Sequence, residues 1–455
     1  MNPSTQNRVT DLNRRDILRI GVAGLGTVLG ASALSGCASS GRRAGIAGRR
    51  WRATDRVRVG IVGVGGRGQA HVRELLSLEG VEIRAVCDIV EDKVALVQKM
   101  VVDAGQSRPT GYDRGPTDFR RMCEREELDI VYNATPWQWH APIAVASMEN
   151  GKHAAPEVPA AMTIEECWQL VETSERTGQH CIMLENCCYG QSELMVLNMV
   201  RRGLFGELLH GECGYLHDLR DIKFSDHGEG LWRLDHSIHH DGNPYPTHGL
   251  GPIAQYMNVN RGDCFDYLVS MSSKSRGLNL YAAEKYGPDD PRATRKYALG
   301  DINSTLIRTI NGCTIIVMHD CSSPRPYSRI NMIQGTKGLF EGYPDRIHIE
   351  GRSPAHAWED ADAYRAEFDH PLWTALAEKA RTSGHGGMDY VMNHRLIHCL
   401  QTGTPPDMDV YDAASWSVIT ELSERSVARR SAPQDVPDFT RGAWKTTSPL
   451  GIVTV

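Results

Sequence analysis

The chain has 455 residues, of which 41% are hydrophobic and 23% charged, and its formal net charge at pH 7 is −6. This length allows two or three domains with large buried cores. The composition excludes a disordered, collagen-like or polytopic membrane protein. The mildly acidic balance argues against a nucleic-acid partner, because such proteins need a basic face to neutralise phosphates.

The N-terminal segment has the pattern of an export signal. Arg14-Arg15 precedes an apolar run at Ile20–Leu34, which resembles a twin-arginine signal, and Leu34-Ser35-Gly36-Cys37 resembles a bacterial lipobox. The apolar run is too short to cross a bilayer comfortably. We expect residues 1–36 to be a signal, Cys37 to carry a lipid that is the sole membrane attachment, and residues 37–55 to be a flexible tether. The mature protein would then be periplasmic or at the cell surface; a plain N-terminal tail is the alternative.

Strands and helices alternate from residue 56 onward. The β-branched run Val57–Val62 leads into Gly63-Val64-Gly65-Gly66-Arg67-Gly68 and a helix-like stretch, and the next strand, Val81–Cys87, ends at Asp88. This is the context of a dinucleotide-binding fingerprint, in which glycines let the backbone approach a pyrophosphate and the acid takes a ribose hydroxyl. Because Asp88 would repel a 2′-phosphate, NAD is favoured over NADP. The alternative is a tight turn followed by a surface aspartate.

Polar and aromatic residues follow three later predicted strands. These are Leu128–Ala134, followed by Thr135 to His140; a strand near His153–Ala155, followed by Pro156 to Pro159; and His180–Leu184, followed by Glu185 to Tyr189. Thr163 and Glu166 form a capping box that predicts the start of a helix ending near Arg176. In a doubly wound sheet, segments just past the strand C-termini line the cofactor crevice.

Beyond about residue 205 the pattern changes to strands with few helices between them. The predicted strands are Leu208–Tyr215, Tyr267–Lys274, Ser304–Ile310, Thr314–Met318, Ile330–Ile333 and Arg346–Ile349, and two late helices, Asp389–Gln401 and Tyr411–Arg429, are expected to return to the first domain. The fold class is therefore α/β, with a Rossmann-type doubly wound parallel sheet at 56–190 and a C-terminal α+β domain at 191–455. The second domain carries a large, mostly antiparallel open sheet, which offers a face for self-association.

Two other clusters of ionisable residues have some features of a functional site, but their sequence context favours other interpretations. Asp235–Asp241 is rich in His and Asp, but it reads as a Gly- and Pro-flanked solvated loop, and no Cys-x-x-Cys pair offers metal spacing, so we expect no metal site. Glu157 and Glu185 resemble the carboxylate pair of an ordinary glycosidase. Both follow predicted Rossmann strands, which favours cofactor-crevice positions instead.

The glycine-rich strand–helix unit, the Pro156-Glu157-Val158-Pro159 turn and the following open sheet resemble the Gfo/Idh/MocA oxidoreductase superfamily. Members usually carry a Lys where this chain has Val158, and that Lys acts on the substrate hydroxyl. They also carry an Asp and a His at the head of a helix, where this chain has His248 and Pro252. If this chain were a simple sugar dehydrogenase, these three replacements would have removed its catalytic acid and base.

These departures match one branch, glycoside hydrolase family 109, which consists of NAD-dependent α-N-acetylgalactosaminidases. The similarity runs from about Arg56 to Trp444. The motifs that carry it are Trp137–His140, Leu184–Tyr189, Gly214–Arg220, Tyr245–Gly249, Arg325–Tyr327 and His385–Tyr390. The resemblance implies oxidation at sugar C3, elimination across C1 and C2, addition of water and reduction, with NAD regenerated in each turnover.

The resemblance also implies roles for individual residues. The cofactor residues would be Gly65, Gly66 and Arg67 at the pyrophosphate, Asp88 at the ribose, and Trp137, Gln138, Trp139, His140, Glu157, Val158 and Asn186 around the nicotinamide half. The glycan contacts would be Tyr215, Arg233, Tyr245, Pro246, Thr247, His248 and Tyr327. For proton transfer we expect His248 and Tyr245, with Tyr189 as a third candidate and a nearby cation lowering the pKa of the tyrosine.

The same residues are compatible with other roles and with two other functions. His248 would otherwise be a helix-cap or packing residue, and Arg233 a surface ion-pair residue. The second function is a periplasmic NAD(P)-dependent sugar oxidoreductase, in which Tyr189 or His248 replaces the missing Lys. The third is a catalytically idle carbohydrate-binding lipoprotein.

Overall fold

The computed structural model describes residues 45–454. The predicted signal and Cys37 lie outside these residues. In the part of the chain that is described, no helix combines the length and the apolar character needed to cross a membrane.

Five parallel strands form the first sheet, in the order β3-β2-β1-β4-β5. The strands are β1 Val57–Val62, β2 Val81–Cys87, β3 Thr110–Tyr112, β4 Ile130–Asn133 and β5 His153–Pro156, and the helices are α1 Gly66–Leu76, α2 Glu91–Asp103, α3 Phe119–Arg125, α4 His140–Glu149 and α5 Ile164–Thr177. The strand order reverses between β1 and β4, which is where a doubly wound sheet opens a ligand crevice. The prediction of a Rossmann-type sheet is confirmed.

The predicted helix start in this domain is confirmed, whereas one predicted strand is not a regular strand. Thr163 and Glu166 form the predicted capping box at the start of α5. The segment predicted as a strand at His180–Leu184 makes only an isolated parallel bridge, between Cys181 and Ala154. It still runs beside β5, so residues that follow it reach the same edge of the sheet.

The second domain contains a nine-stranded sheet in the order β13-β12-β11-β10-β6-β9-β8-β7-β14. The strands are β6 Leu208–Leu216, β7 Phe265–Ser272, β8 Asn303–Thr309, β9 Thr314–Asp320, β10 Met332–Gly335, β11 Gly338–Glu341, β12 Arg346–Ile349, β13 Glu359–Asp360 and β14 Gln434–Asp435. Only β6 and β9 pair in parallel. Along β8 buried and exposed residues alternate, so one face is open, as predicted.

Helices cover the other face and connect the two domains. They are α6 Gln191–Arg201, α7 Arg220–Lys223, α8 Gly230–His239, α9 Thr247–Tyr256, α10 Gly277–Tyr286, α11 Pro291–Thr294, α12 Arg365–Phe368, α13 Pro371–Ala380, α14 Met388–Thr402, α15 Val410–Ser417 and α16 Ile419–Ala428. The late helices return to the first domain: Gln401 donates to the Glu79 carbonyl, and Ser417 Oγ accepts from the Ala160 amide.

Three predictions about local structure are wrong. Most of Asp235–Asp241 is helical, because it forms the end of α8 rather than a loop. The predicted helix Tyr411–Arg429 is two helices, which meet at Val418. The flexible tether does not extend to residue 55: Ile46 and Trp51 are buried in the core. Their apolar side chains and a hydrogen bond from the Ile46 amide to the Tyr411 hydroxyl hold this segment in place.

Candidate active site

The glycine-rich loop after β1 has the shape that a dinucleotide requires. Gly63 has φ +80°, and a Cβ there would lie 2.7 Å from the Ala134 carbonyl oxygen; a Cβ on Gly68 would collide with the Gly63 carbonyl, whereas one on Gly65 would meet nothing nearer than Lys93 Nζ at 4.0 Å. The first glycine makes the turn, the last lets α1 pack on β1, and the middle one leaves the backbone open to a ligand. Asp88 accepts hydrogen bonds from the amides of Val64 (2.8 Å) and Val90 (3.0 Å), so its carboxylate lies beside this loop. These residues fit NAD.

Arg67 begins in this loop but turns its guanidinium toward two buried carboxylates. Its Nε donates to Glu157 at 2.5 Å and its Nη1 donates to Asp389 at 2.7 Å. Burial opposes the charge of Arg67, but Glu157 and Asp389 outweigh it and raise the pKa of Arg67. His71 Nε2 lies 2.8 Å from Glu157. The guanidinium therefore joins the loop to the turn after β5 and to the start of α14.

Asp389 is a functional candidate that sequence reasoning missed. Besides Arg67, it accepts a hydrogen bond from Asn186 Nδ2 at 2.7 Å and lies 2.7 Å from His385 Nδ1. Burial opposes ionisation of Asp389, yet His385 and Arg67 keep its pKa well below the usual range. The motif His385–Tyr390 contains this residue, but nothing in the sequence indicates that its carboxylate reaches two predicted cofactor residues.

The four residues Trp137 to His140 do not face one site. Trp137 is buried, and its ring stacks on Tyr245 at 5.5 Å, while Gln138 is exposed. Trp139 instead packs on Phe119 inside the first domain. His140 is fully buried and bonded to the carbonyls of Thr135 and Pro159, and burial lowers its pKa. The Trp139 and His140 side chains therefore point into the first domain and away from Tyr245, because the short 3₁₀ turn sends neighbouring side chains in different directions.

The turn after β5 places Val158 where the superfamily carries a Lys. Val158 is 2% exposed, and its amide donates to Glu157 Oε2 at 3.2 Å. The side chain is apolar and packed into the core. This position therefore supplies no acid or base, which is consistent with the departure noted in the sequence.

His248 lies one residue into α9 and joins the two domains. Its Nδ1 lies 2.7 Å from Glu185 Oε1, and its Nε2 lies 3.3 Å from the Tyr245 hydroxyl. The His248 side chain is 13% exposed, whereas Glu185 is completely buried. Pro246 and Thr247 are buried beside it. The predicted pair His248 and Tyr245 is thus in contact, with Glu185 as a third member.

The predicted sugar contacts lie together around this pair, and we call this group of residues the candidate sugar pocket. The Tyr215 ring lies 4.7 Å from Tyr245 and 5.5 Å from His248. The Arg233 guanidinium lies 5.2 Å from the centroid of the Tyr245 ring. Tyr327, whose ring is 6.1 Å from that of Tyr215, is 37% exposed and lies at the open side. An aromatic pocket with one arginine suits a sugar, whose apolar ring faces pack on aromatic rings.

The ionisation state of Tyr245 differs from the expectation. Burial raises the pKa of Tyr245 well above its usual range, and the neighbouring Arg233 opposes this shift without reversing it. The phenol is therefore a neutral hydrogen-bonding group at neutral pH rather than a phenolate. Desolvation outweighs the nearby cation because the whole side chain is enclosed.

Tyr189 lies outside this pocket. Its hydroxyl donates to Asp407 at 3.2 Å, and Asp407 is paired with Arg395 in the core. The Tyr189 carbonyl accepts from Trp373 Nε1 at 2.7 Å. This placement argues against the predicted proton-transfer role of Tyr189, because the 3₁₀ turn Asn186–Tyr189 directs Asn186 to the crevice and Tyr189 away from it.

Sequence reasoning missed further residues at the pocket. His217 Nδ1 lies 3.0 Å from the Tyr215 hydroxyl, and Trp232 and His236 each lie 4.7 Å from Trp137. Burial lowers the pKa of His236 to about 4. Within residues 45–454, side-chain atoms of Glu185, Cys187 and His248 converge within 4.8 Å, with Glu185 and His248 engaged in their own contact at 2.7 Å, whereas Asp235–Asp241 forms no such group.

Two family models match consecutive parts of the chain. "Oxidoreductase family, NAD-binding Rossmann fold" matches residues 57–185, and "Glycosyl hydrolase 109, C-terminal domain" matches residues 189–446. Among curated relatives, a glycosyl hydrolase family 109 protein of Solibacter usitatus (strain Ellin6076) is 51% identical over 442 residues, 96% of this chain and 99% of the relative. One from Shewanella putrefaciens (strain CN-32 / ATCC BAA-453) is 52% identical over 406 residues, 88% of each chain. The first domain is an NAD-binding Rossmann domain.

Solved sugar and polyol dehydrogenases share the fold. Levoglucosan dehydrogenase in complex with NADH has a TM-score of 0.65 at 20% identity, over 84% of this chain and 99% of that chain. Myo-inositol 2-dehydrogenase from Lactobacillus plantarum has a TM-score of 0.58 at 14% identity, over 84% and 100%. At these identities the likeness shows the fold alone.

Proposed function

The chain belongs to glycosyl hydrolase family 109, and from this premise we propose that it hydrolyses terminal α-N-acetylgalactosamine residues through NAD-dependent oxidation, elimination, addition and reduction. The observation that carries the proposal is the contact of Tyr245, His248 and Glu185 where the candidate sugar pocket meets the cofactor crevice. This contact supports the proposal because His248, as the proton acceptor, would lie beside the crevice in which the Rossmann domain would hold its cofactor.

The carboxylates of the crevice support this route over a two-carboxylate hydrolysis. Glu157 is buried between Arg67 and His71, and Glu185 is buried against His248. A conventional glycosidase needs one carboxylic acid and one carboxylate directed at the glycosidic bond. Both glutamates are buried, and each has an oxygen already engaged by a neighbouring side chain.

Each residue of the site has its own role in the proposed reaction. The glycine-rich loop and Asp88 would hold NAD⁺, which would supply a reversible hydride acceptor for sugar C3. Tyr245, as a neutral phenol, hydrogen-bonds the C3 oxygen, whose hydroxyl proton passes to solvent when the ketone forms and returns when the ketone is reduced. His248 Nε2 takes the proton from C2, which is acidified while C3 is a ketone, and the C1–O bond then breaks as the leaving oxygen takes a proton from solvent. Water adds at C1 and releases one proton to solvent, and the same imidazole returns a proton to C2.

A panel of aryl glycosides tests the proposal. The purified protein should release the phenol from the α-N-acetylgalactosaminide over many turnovers while absorbance at the NADH wavelength stays flat. Net NADH accumulation with a free sugar would support the sugar oxidoreductase instead. Binding of sugar with neither reaction would leave a carbohydrate-binding protein.

The cofactor prediction concerns Asp88. We expect NAD to copurify and to survive dialysis, and we expect Asp88→Ala to weaken NAD retention and to relax the preference against NADP, since the carboxylate no longer repels a 2′-phosphate. The measurement is the dinucleotide content after dialysis against either cofactor. Glu82→Ala, an acid on the same strand outside the crevice, is the control. Active protein that contains no dinucleotide would contradict the proposal.

We also propose export by the twin-arginine route with a lipid at Cys37, on the sequence pattern alone. Replacing Arg14 and Arg15 by Lys should keep the protein in the cytosol. Cys37→Ala should leave it exported but free of the membrane fraction. Fractionation with radiolabelled palmitate checks both; label on the Cys37→Ala protein would overturn the lipid assignment.

A further inference from the structure

Glu185 is a buried carboxylate that, within residues 45–454, has no arginine or lysine at ion-pair distance. It is 0% exposed, and within residues 45–454 its one ion-pair partner is the imidazole of His248. Its Oε1 also accepts a hydrogen bond from the Cys187 amide at 3.1 Å, and its Oε2 has no hydrogen-bond partner. Burying an unpaired carboxylate is costly. The His248 imidazole is therefore the group that shields this carboxylate, with its Nδ1 facing Glu185 Oε1.

The sequence around His248 is built for this contact. Gly251 lies one turn along α9, and a Cβ there would be 3.0 Å from Glu185 Cγ and 3.0 Å from Cys188 Sγ. A glycine inside a helix costs about 0.5–1 kcal/mol relative to alanine. Here it lets α9 approach Glu185 closely enough for His248 to reach the carboxylate. The opposite ring nitrogen, Nε2, is left facing Tyr245.

The other titratable groups that face His248 carry no charge at neutral pH. Burial raises the pKa of Tyr215, Tyr245 and the Cys187 thiol, and burial lowers the pKa of His217. Arg233 lies 5.2 Å from the centroid of the Tyr245 ring, and its ion-pair partner is Glu229. Glu185 is thus the charged group in direct contact with the imidazole.

We propose that Glu185 is a positioning residue that acts through His248. Its carboxylate holds the proton of the neutral imidazole on Nδ1, so that Nε2 is free to receive the C2 proton, and it then stabilises the imidazolium. This is the arrangement by which an aspartate supports the histidine of a serine protease. The inference rests on the proposed function of His248 as the base.

The kinetic test uses Glu185→Gln, which keeps the shape and an oxygen for the Cys187 amide but removes the charge. Without the carboxylate the imidazolium is less stable, so the acid limb of the kcat/KM profile should move to lower pH, and kcat should fall about 10- to 100-fold. Glu185→Asp, which keeps the charge, should restore the position of the acid limb. Glu424→Gln, at the surface pair with His240, is the matched control and should leave the profile unchanged. An unmoved acid limb in Glu185→Gln would overturn the inference.

A second measurement needs no turnover. In protein labelled with ¹⁵N-histidine, with the His248 signals assigned by their loss in His248→Asn, the wild-type shifts should report Nδ1–H and a bare Nε2. Glu185→Gln should lose this preference. Finding Nε2–H in the wild type would refute the positioning role, even if the aryl glycoside is cleaved. Failure of glycoside cleavage with the expected tautomer would instead count against the proposed function.

Discussion

His248→Ala should lower kcat on an aryl α-N-acetylgalactosaminide by a factor on the order of 10²–10⁴, the usual contribution of a positioned general acid or base. The imidazole contacts the Tyr245 hydroxyl through Nε2 and is 13% exposed, so its removal takes the proposed base out of the site. NAD should remain bound, because the glycine-rich loop and Asp88 make no contact with His248. The measurement is kcat together with dinucleotide content.

Tyr189→Phe is the matched control for this prediction. It removes a hydroxyl that donates to Asp407 in the core, away from the pocket. Loss of one buried hydrogen bond should lower the free energy of unfolding by about 0.5–1.5 kcal/mol and leave kcat within twofold. A His248→Ala enzyme that retains most of its activity, or a Tyr189→Phe enzyme that loses as much as His248→Ala, would reverse the two assignments.

The first domain could be predicted in detail because its signals are local. The spacing of Gly63, Gly65 and Gly68, the aspartate at the end of β2 and the capping box at Thr163 each act on residues close to them in the sequence. The alternation of buried and exposed residues along β8 likewise indicates a strand with one face open to solvent. Such patterns predict local structure without information about residues that are distant in the sequence.

The sequence does not predict the direction of a side chain when that direction depends on contacts with residues far away in the chain. Trp137 and Trp139 are two residues apart in one motif, yet one reaches Tyr245 and the other Phe119. Tyr189 follows Asn186 by three residues but points to Asp407. Asp389 lies 322 residues from Arg67. A motif identifies such a set as important, but only packing between the domains decides which side chain enters the pocket.

The position of hydrogen at C2 of the product distinguishes the mechanisms most sharply. If His248 removes the C2 proton while C3 is a ketone, sugar released in D₂O should carry deuterium at C2 in nearly every molecule. The His248 side chain is partly exposed, so a proton on its imidazole can exchange with solvent before it is returned. A two-carboxylate hydrolase never breaks this bond and would release sugar with the original hydrogen.

The measurement is the C2–H signal of the product by proton NMR after complete turnover in D₂O, with a conventional hydrolase acting on the same glycoside as the control. Substrates deuterated at C2 or at C3 should react more slowly wherever that step limits the rate. Leaving-group acidity should then matter little, and because elimination needs no in-line displacement at C1, the β-linked substrate should also react. His248→Ala should slow label incorporation and cleavage together, since one imidazole serves both. Product that keeps its C2 hydrogen while cleavage proceeds would rule out this route and would return the pair Glu157 and Glu185 to consideration.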